Sequence, residues 1–140
     1  MSELILERHL PAAPDRVFAI VTQADHLTRW WGPEGMFIPE GDLALDAIGP
    51  WWSVMENKDG GRFKVSGQVT RVDPPRGVSF TWAWHDENDT RGEESTVTFD
   101  LEPADGGTMF RLTQVFESES AVANHEIGWT SSFRKLEAQF

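Results

Sequence analysis

The chain has 140 residues, a length typical of one domain with its own hydrophobic core, so we expect a single domain over residues 1–140. Apolar residues make up 39 % of the sequence and charged residues 25 %, a balance that favours a globular protein over an intrinsically disordered one. With 12 basic and 23 acidic residues the protein is acidic, and its net charge of -11 disfavours binding to nucleic acid or to an anionic membrane.

The predicted elements begin with a strand, residues 3–10, in which apolar and charged positions mix in a short extended run. A helix over residues 15–22 follows, with apolar side chains at helical spacing. A second short helix, residues 24–31, is predicted to end at the pair Gly32-Pro33, which cannot continue it.

From residue 42 the apolar pattern changes from helical to alternating, which predicts an antiparallel meander. Turns rich in Gly, Pro or polar residues separate the segments. The predicted strands are 42–47, 51–57, 62–73, 76–85, 94–103 and 107–117. A long helix over about 119–139 closes the chain, with an apolar stripe of Val122, Trp129, Phe133, Leu136 and Phe140.

One face of the predicted sheet is apolar and aromatic, while the other is polar. The residues that alternation places on the apolar face are Val78, Phe80, Trp82, Trp84, Val97, Phe99, Leu101, Phe110, Leu112, Gln114 and Phe116. This apolar face must pack against another element, and the apolar stripe of the long helix can pack against it. We therefore predict an α+β fold in which a curved antiparallel sheet of about six to seven strands wraps around the C-terminal helix.

Four motifs carry a family resemblance: WWGPEG, SGQVTRVDPPRGVSFTW, STVTFDLEPADGGTMFRLTQVFES and HEIGWTSSFRKLEAQF. With this layout they resemble the helix-grip fold of the START-like (SRPBCC) superfamily. They are similar in particular to the stand-alone bacterial members of the family of the activator of the heat-shock-protein-ninety ATPase. The resemblance implies a cavity beneath the long helix that binds apolar or amphipathic small molecules, and it also implies a chaperone as an alternative partner.

The stretch before the second strand of the meander departs from that family. Where such proteins usually have two glycines, this chain reads Ala47-Ile48-Gly49-Pro50-Trp51-Trp52. Alternation allows either Trp51 with Met55 or Trp52 with Val54 to point inward, and the resemblance favours the first pair.

His125 is a polar residue on the apolar stripe of the long helix. One explanation is that its nitrogens bond a backbone carbonyl or a side chain such as Gln114, because a buried polar group needs a partner. The other explanation is that the His125 side chain projects into a cavity and forms a hydrogen bond with a ligand. Gly128, unfavourable within a helix, predicts the close approach of Trp31 or of the strand that carries Trp51.

No catalytic motif is present, so the sequence assigns no catalytic residue. The four histidines are scattered, and no cysteine is present; we therefore predict no metal site and no cofactor. The carboxylates of the loop 86–94 are interpreted as solvated turn surface.

Three functions remain. The favoured one is a binding protein for an apolar or aromatic small molecule, held between the long helix and the sheet. The predicted lining residues are Trp51, Trp82, Trp84, Phe99, Phe110, Leu112, Gln114, His125, Trp129 and Phe133. The alternatives are a co-chaperone-like interaction domain and, least favoured, a hydrolase, cyclase or dehydratase with an aromatic or polyketide-like substrate and His125 as general base.

The sequence has no long apolar run and no signal-peptide core, so we expect a cytoplasmic protein without a membrane partner. Its oligomeric state stays open, with a homodimer as one option.

Overall fold

The fold, which a computed structural model describes for residues 1–140, consists of one sheet and three α-helices. The strands are β1 (Ser2–Leu10), β2 (Met36–Asp42), β3 (Gly49–Asn57), β4 (Arg62–Asp73), β5 (Gly77–Trp84), β6 (Ser95–Ala104) and β7 (Gly107–Phe116). The helices are α1 (Pro14–Thr22), α2 (Ala24–Trp30) and α3 (Val122–Glu137), and a 3-10 turn (Glu119–Ala121) precedes α3.

All seven strands form one antiparallel sheet in the order β1-β7-β6-β5-β4-β3-β2. The meander from β2 to β7 is built from chain neighbours, and β1 then pairs with β7. α3 packs against β1 and α2, and α1 packs against α2 and β6. The α+β helix-grip fold predicted from the sequence is therefore confirmed.

The two short helices begin and end where local chemistry dictates. α1 begins at Pro14, whose fixed φ suits the first turn of a helix, and it buries Val17, Phe18 and Val21. α2 ends at Trp30, and the chain turns away at Gly32, which has a φ of +83°. This turn begins the loop that connects α2 to β2 and passes next to α3, where the Glu34 N–H donates to Ser131 Oγ at 2.8 Å.

The strand predicted at 42–47 is wrong: the strand lies at Met36–Asp42, and only residue 42 is shared. β2 is an edge strand that contains Pro39 and is mostly exposed, so it lacks the alternation that marks a half-buried strand. The alternating Leu43 and Leu45 are buried, but they belong to a loop whose Leu45 N–H donates to the Thr22 carbonyl at 2.8 Å.

The core lies between the concave face of the sheet and the three helices, and it is largely aromatic. Its fully buried large side chains include Trp30, Trp31, Phe80, Phe99 and Phe133. Trp51 and Met55 point into this core, so the orientation favoured by the resemblance is confirmed. None of the helices has the length and apolar character needed to cross a bilayer.

Candidate functional site

The packing between α3 and the sheet is incomplete at one end, where a cleft of about 180 Å³ remains. It lies beside the first half of α3, whereas the helix from Trp129 onward buries Trp129, Phe133 and Leu136. The residues that line this α3 cleft are Trp31, Gly32, Pro33, Met55, Trp82, Trp84, Asn124, His125, Gly128, Trp129 and Ser132. The lining combines tryptophan rings with a few polar groups, a composition typical of small-molecule sites.

Three elements supply the aromatic walls of the cleft. β5 contributes Trp82 and Trp84, which point to the same side of the sheet because they are two residues apart. Trp31 follows α2, and Trp129 lies one helical turn after His125 on α3. The ring centroids of Trp31 and Trp82 are 5.6 Å apart, and those of Trp82 and Trp129 are 5.3 Å apart. These are contact distances for aromatic pairs, so the walls support one another.

His125 bridges α3 and β5 at the edge of the cleft. Its Nε2 accepts a hydrogen bond from the indole N–H of Trp84 at 3.2 Å, and its Nδ1 lies 2.8 Å from the carbonyl oxygen of Ala121. An indole nitrogen can only donate, and a carbonyl oxygen can only accept. The ring is therefore neutral, with its hydrogen on Nδ1.

The environment of His125 opposes protonation. Burial lowers the pKa of the imidazole below its ordinary value, although the hydrogen bond to Ala121 acts in the opposite direction. A protonated ring would also point an N–H at the N–H of Trp84. No carboxylate contacts the ring, so the arrangement offers little support for His125 as a general base.

Both explanations considered for His125 describe part of what is found. The ring bonds a backbone carbonyl, as the first one proposed, and it also lines the cleft. Gln114 is not its partner: the Gln114 side chain donates to Ser95 at 2.8 Å and accepts from the Trp129 indole at 2.8 Å.

A second, smaller recess of about 130 Å³ adjoins the cleft. Trp82, Trp84 and His125 line both spaces, and Phe116, whose ring centroid lies 4.8 Å from that of His125, lines the recess. The hydrogen bond between Trp84 and His125 thus joins two side chains shared by the two spaces.

The indole N–H groups distinguish Trp82 from its neighbours. Those of Trp31, Trp51, Trp84 and Trp129 donate to Ser53, Thr81, His125 and Gln114, respectively. The Trp82 N–H is buried and has no partner, the one such side-chain group in the protein. A buried donor without an acceptor is unfavourable by about 1–3 kcal/mol, so the position of the Trp82 ring lowers the stability of the unoccupied protein.

The structure separates the ten predicted lining residues into two groups. Trp82, Trp84, His125 and Trp129 line the cleft. The other six lie outside its lining and are buried in the core: Trp51, Phe99, Phe110, Leu112, Gln114 and Phe133. Helical and strand periodicity identified the inward faces of α3 and β5, but it could not show where along those faces packing ends.

Residues of the α2–β2 loop were missing from the sequence-based set, although the cleft is partly built from them. Gly32 and Pro33 form one wall, and their neighbour Trp31 also lines the cleft. The motif WWGPEG was a usable signal, because a Gly-Pro turn after two tryptophans places a bend of the chain next to aromatic rings.

The expectation for Gly128 is wrong, since no element approaches it closely. A Cβ at this position would meet only the Cγ of Pro33, at 3.9 Å, which is an ordinary contact. The absent side chain leaves open space, and Gly128 accordingly lines the cleft.

Polar contacts fasten the α2–β2 loop to the second half of α3. The Glu34 carboxylate accepts a bond from Arg134 Nε at 2.7 Å, and this bond is the main reason that its pKa is lowered. The ammonium of Lys135 lies 3.3–3.4 Å from the carbonyl oxygens of Trp31, Pro33 and Met36. Burial lowers the pKa of Lys135, partly offset by Glu34. The wall opposite His125 is thus held in place.

No group of three or more histidine and carboxylate side chains is arranged to hold a metal ion. Asn124 and Ser132 add uncharged polar groups to the lining, so the cleft itself carries no formal charge at neutral pH. Such a surface favours an uncharged guest.

Comparison with known families gives a match over nearly the whole chain. Residues 11–140 match the family described as Activator of Hsp90 ATPase homolog 1-like protein. No curated protein matches the chain.

Solved structures give the same result. The AHSA1 protein of Silicibacter pomeroyi is 48 % identical, with a TM-score of 0.95, over 99 % of this chain and 96 % of that one. A protein of Mycobacterium smegmatis has a TM-score of 0.83 at 23 % identity, over 99 % of this chain and 90 % of that one. A Rhodobacter sphaeroides protein has a TM-score of 0.83 at 21 % identity, covering 99 % and 91 %. The last two share the fold.

Proposed function

Because this chain belongs to the family of Activator of Hsp90 ATPase homolog 1-like proteins, we propose that it uses the helix-grip fold to bind a small molecule in the α3 cleft. The guest is an uncharged, apolar or aromatic compound that carries one hydrogen-bond acceptor. The observation behind this proposal is the unpartnered N–H of Trp82 in a buried aromatic wall of an incompletely filled space.

The cleft has room for about one aromatic ring of a guest. An apolar cavity of about 150 Å³ accepts benzene, and the α3 cleft measures about 180 Å³. The rings of Trp31, Trp82 and Trp129 supply flat apolar contact, which favours an aromatic guest. The Trp82 nitrogen is enclosed by the protein, so an acceptor on that guest would bond its N–H after a small shift of the ring.

Acetophenone and ethylbenzene make a matched pair of probes, because they have similar shapes and only acetophenone has an acceptor. We expect acetophenone to change the tryptophan fluorescence in a saturable way and to shift the Trp82 indole N–H resonance. Ethylbenzene should bind about five-fold more weakly, as expected for one hydrogen bond. Equal binding of the two probes would contradict the role of Trp82.

A Gly128→Leu variant tests the location, since its side chain projects into the cleft from a helix that tolerates leucine. It should lose the saturable signal. Ile127→Leu is the matched control, because Ile127 is the neighbouring α3 residue and is 70 % exposed. If Gly128→Leu binds acetophenone as the unsubstituted protein does, the cleft is not the site.

The family name favours a second candidate, interaction with an Hsp90-type chaperone. With a net charge of -11, this chain would need a basic patch on its partner. Capture of purified Hsp90 at low salt, weakened at high salt, is the expected result. No capture at low salt would remove this candidate.

A further inference from the structure

Three side chains form a hydrogen-bonded chain on the outer face of the sheet, away from the α3 cleft. Ser66 Oγ lies 2.6 Å from Nε2 of His85, and Nδ1 of His85 lies 2.8 Å from Oδ1 of Asp89. Ser66 is on β4, His85 directly follows β5, and Asp89 is in the loop beyond it. We call these residues the outer-face triad.

Backbone contacts hold the triad in place. The N–H of His85 donates to the carbonyl of Lys64 at 2.9 Å, which fixes the end of β5 against β4. The Asp86 carboxylate accepts the N–H groups of Asn88 at 2.9 Å and Thr90 at 3.0 Å, so the loop closes into a tight turn. This turn returns Asp89 to the imidazole, whose side chain is only 9 % exposed.

The proton positions follow from the partners. The Asp89 carboxylate only accepts, so Nδ1 of His85 carries a hydrogen, and Nε2 of the neutral ring presents its lone pair to the Ser66 hydroxyl. The pKa of Asp89 is lowered, first by its bond from Lys64 and then by that from His85, so this carboxylate stays ionised. The order of donors and acceptors is that of a Ser-His-Asp triad.

A cationic side chain contacts the Ser66 hydroxyl. Arg91 donates from Nε to Ser66 Oγ at 3.0 Å and from Nη2 to the Ser66 carbonyl at 3.1 Å. It also donates from Nη1 to Glu94, which leaves two of its five N–H groups free for another acceptor. The Lys64 ammonium is instead bonded to Asp89 at 3.1 Å and lies 5.3 Å from the centroid of the Trp52 ring. Arg91, which contacts the hydroxyl directly, favours negative charge that develops near Ser66.

A groove of about 350 Å³ adjoins the hydroxyl. Pro50 and Trp52 give it an apolar surface, and Ser66, His85 and Arg91 give it a polar end. Trp52 pairs with Ser66 in the register of β3 and β4, which sets the indole next to the hydroxyl. An aromatic group on Trp52 would therefore place an attached ester beside Ser66.

We propose that Ser66 is a nucleophile that hydrolyses small esters of aromatic alcohols, with His85 as its general base and Asp89 as the residue that positions His85. Ser66 Oγ bonds to the ester carbonyl carbon while its proton passes to Nε2 of His85. The bond from that carbon to the aryloxy oxygen then breaks, and His85 gives the proton to the departing alcohol. Water attacks the acyl-Ser66 ester in the same way, which releases the acid and restores the hydroxyl. This activity does not depend on the α3 cleft.

The first test maps the covalent intermediate on the full chain. The protein is treated with p-nitrophenyl acetate or with a fluorophosphonate, quenched, digested and analysed by peptide mass spectrometry. We expect modification at Ser66, and the fluorophosphonate reports it even where turnover is slow. Absence of both labels from Ser66 would overturn the proposal without reference to any variant.

The second test follows release of p-nitrophenol. Ser66→Ala should abolish release above background, and His85→Gln should lower it by roughly 100-fold or more. Ser79→Ala is the matched control, because Ser79 is a neighbouring β5 serine that bonds Thr98 and no histidine. Asp89→Asn should displace the pH profile of the rate, and Asp89→Glu should restore part of the activity. Rates equal to that of the unsubstituted protein in both Ser66→Ala and His85→Gln would contradict the mechanism.

Discussion

His125 and His85 lie on opposite faces of the same sheet, and both hold Nδ1–H as a donor and Nε2 as an acceptor. His125 bonds two neutral groups, the Ala121 carbonyl and the Trp84 indole. His85 bonds a hydroxyl and a carboxylate. The partners therefore decide what each ring can do: those of His125 favour its neutral form, whereas Asp89 can balance the positive charge that His85 gains when it takes a proton from Ser66.

Gly67→Ala should have the largest effect, because Gly67 lies on β4 between these two regions. A Cβ there would overlap the carbonyl oxygen of Thr81, which also accepts the indole N–H of Trp51 at 3.1 Å. Forcing β4 and β5 apart should lower the free energy of unfolding by about 1–3 kcal/mol, as overpacking does.

Urea denaturation measures this effect, and Gly92→Ala is the control, since its Cβ would lie 3.6 Å from the nearest heavy atom. Because Ser66 is adjacent to Gly67, the outer-face triad should be disturbed together with the core. If Gly67→Ala unfolds at the same urea concentration as the unsubstituted protein, and both the core and the outer-face triad are unchanged, β4 is more adaptable than its packing indicates.

The pH dependence of stability should report on His125. Burial lowers the pKa of His125 in the folded protein below the ordinary value of about 6.5 that it has when unfolded. Between those two values the unfolded chain binds more protons, so the free energy of unfolding falls as the pH falls, by at most about 1.4 kcal/mol per pH unit. Above about pH 6.5 this contribution is complete and constant.

Urea denaturation of the unsubstituted protein and of His125→Gln, repeated from about pH 7.5 to about pH 5, isolates this contribution as the difference between two curves. Glutamine does not titrate, and it retains both an acceptor and a donor. Parallel curves over that range would mean that the folded structure tolerates a protonated His125.

Gly128→Ala should raise stability by about 1 kcal/mol, because alanine favours the helix and its methyl group meets only Pro33 at 3.9 Å. The same methyl group enters the α3 cleft, so affinity for acetophenone should fall. Thermal denaturation and fluorescence titration check the two effects. If stability and affinity for acetophenone both rise, the guest binds outside the cleft.

Asp89→Asn should have the smallest effect on stability, since the Asp89 side chain is 67 % exposed and exposed ion pairs contribute little. We expect an unchanged urea midpoint together with an altered pH profile of ester hydrolysis. A large loss of stability would instead mean that the outer-face triad mainly supports the fold.

The sequence was sufficient for the fold because periodicity reports which way each side chain points. It identified the inward faces of β5, β6, β7 and α3, and with them Trp82, His125 and Trp129. It missed β2, whose exposed edge position removes the alternation on which such predictions depend.

The outer-face triad could not be read from the sequence, since its members come from three separate segments. Alternation indicates that Lys64 and Ser66 face outward on β4. Only the pairing of Ser66 with Ala83, two residues before His85, brings the imidazole to the hydroxyl. The side chain of Asp89, interpreted as solvated surface, returns to the ring through a turn that composition alone does not specify.

The attachment of the α2–β2 loop by Arg134 and Lys135 has a consequence for how a guest enters. Because this attachment and the buried side chains hold the second half of α3, widening must occur at its other end, before Gly128. That end begins without a side-chain cap and is largely exposed. A guest would thus enter the cleft when the first turns of α3 fray. Backbone amides of residues 122–127 should therefore exchange with deuterium faster than those of residues 129–136.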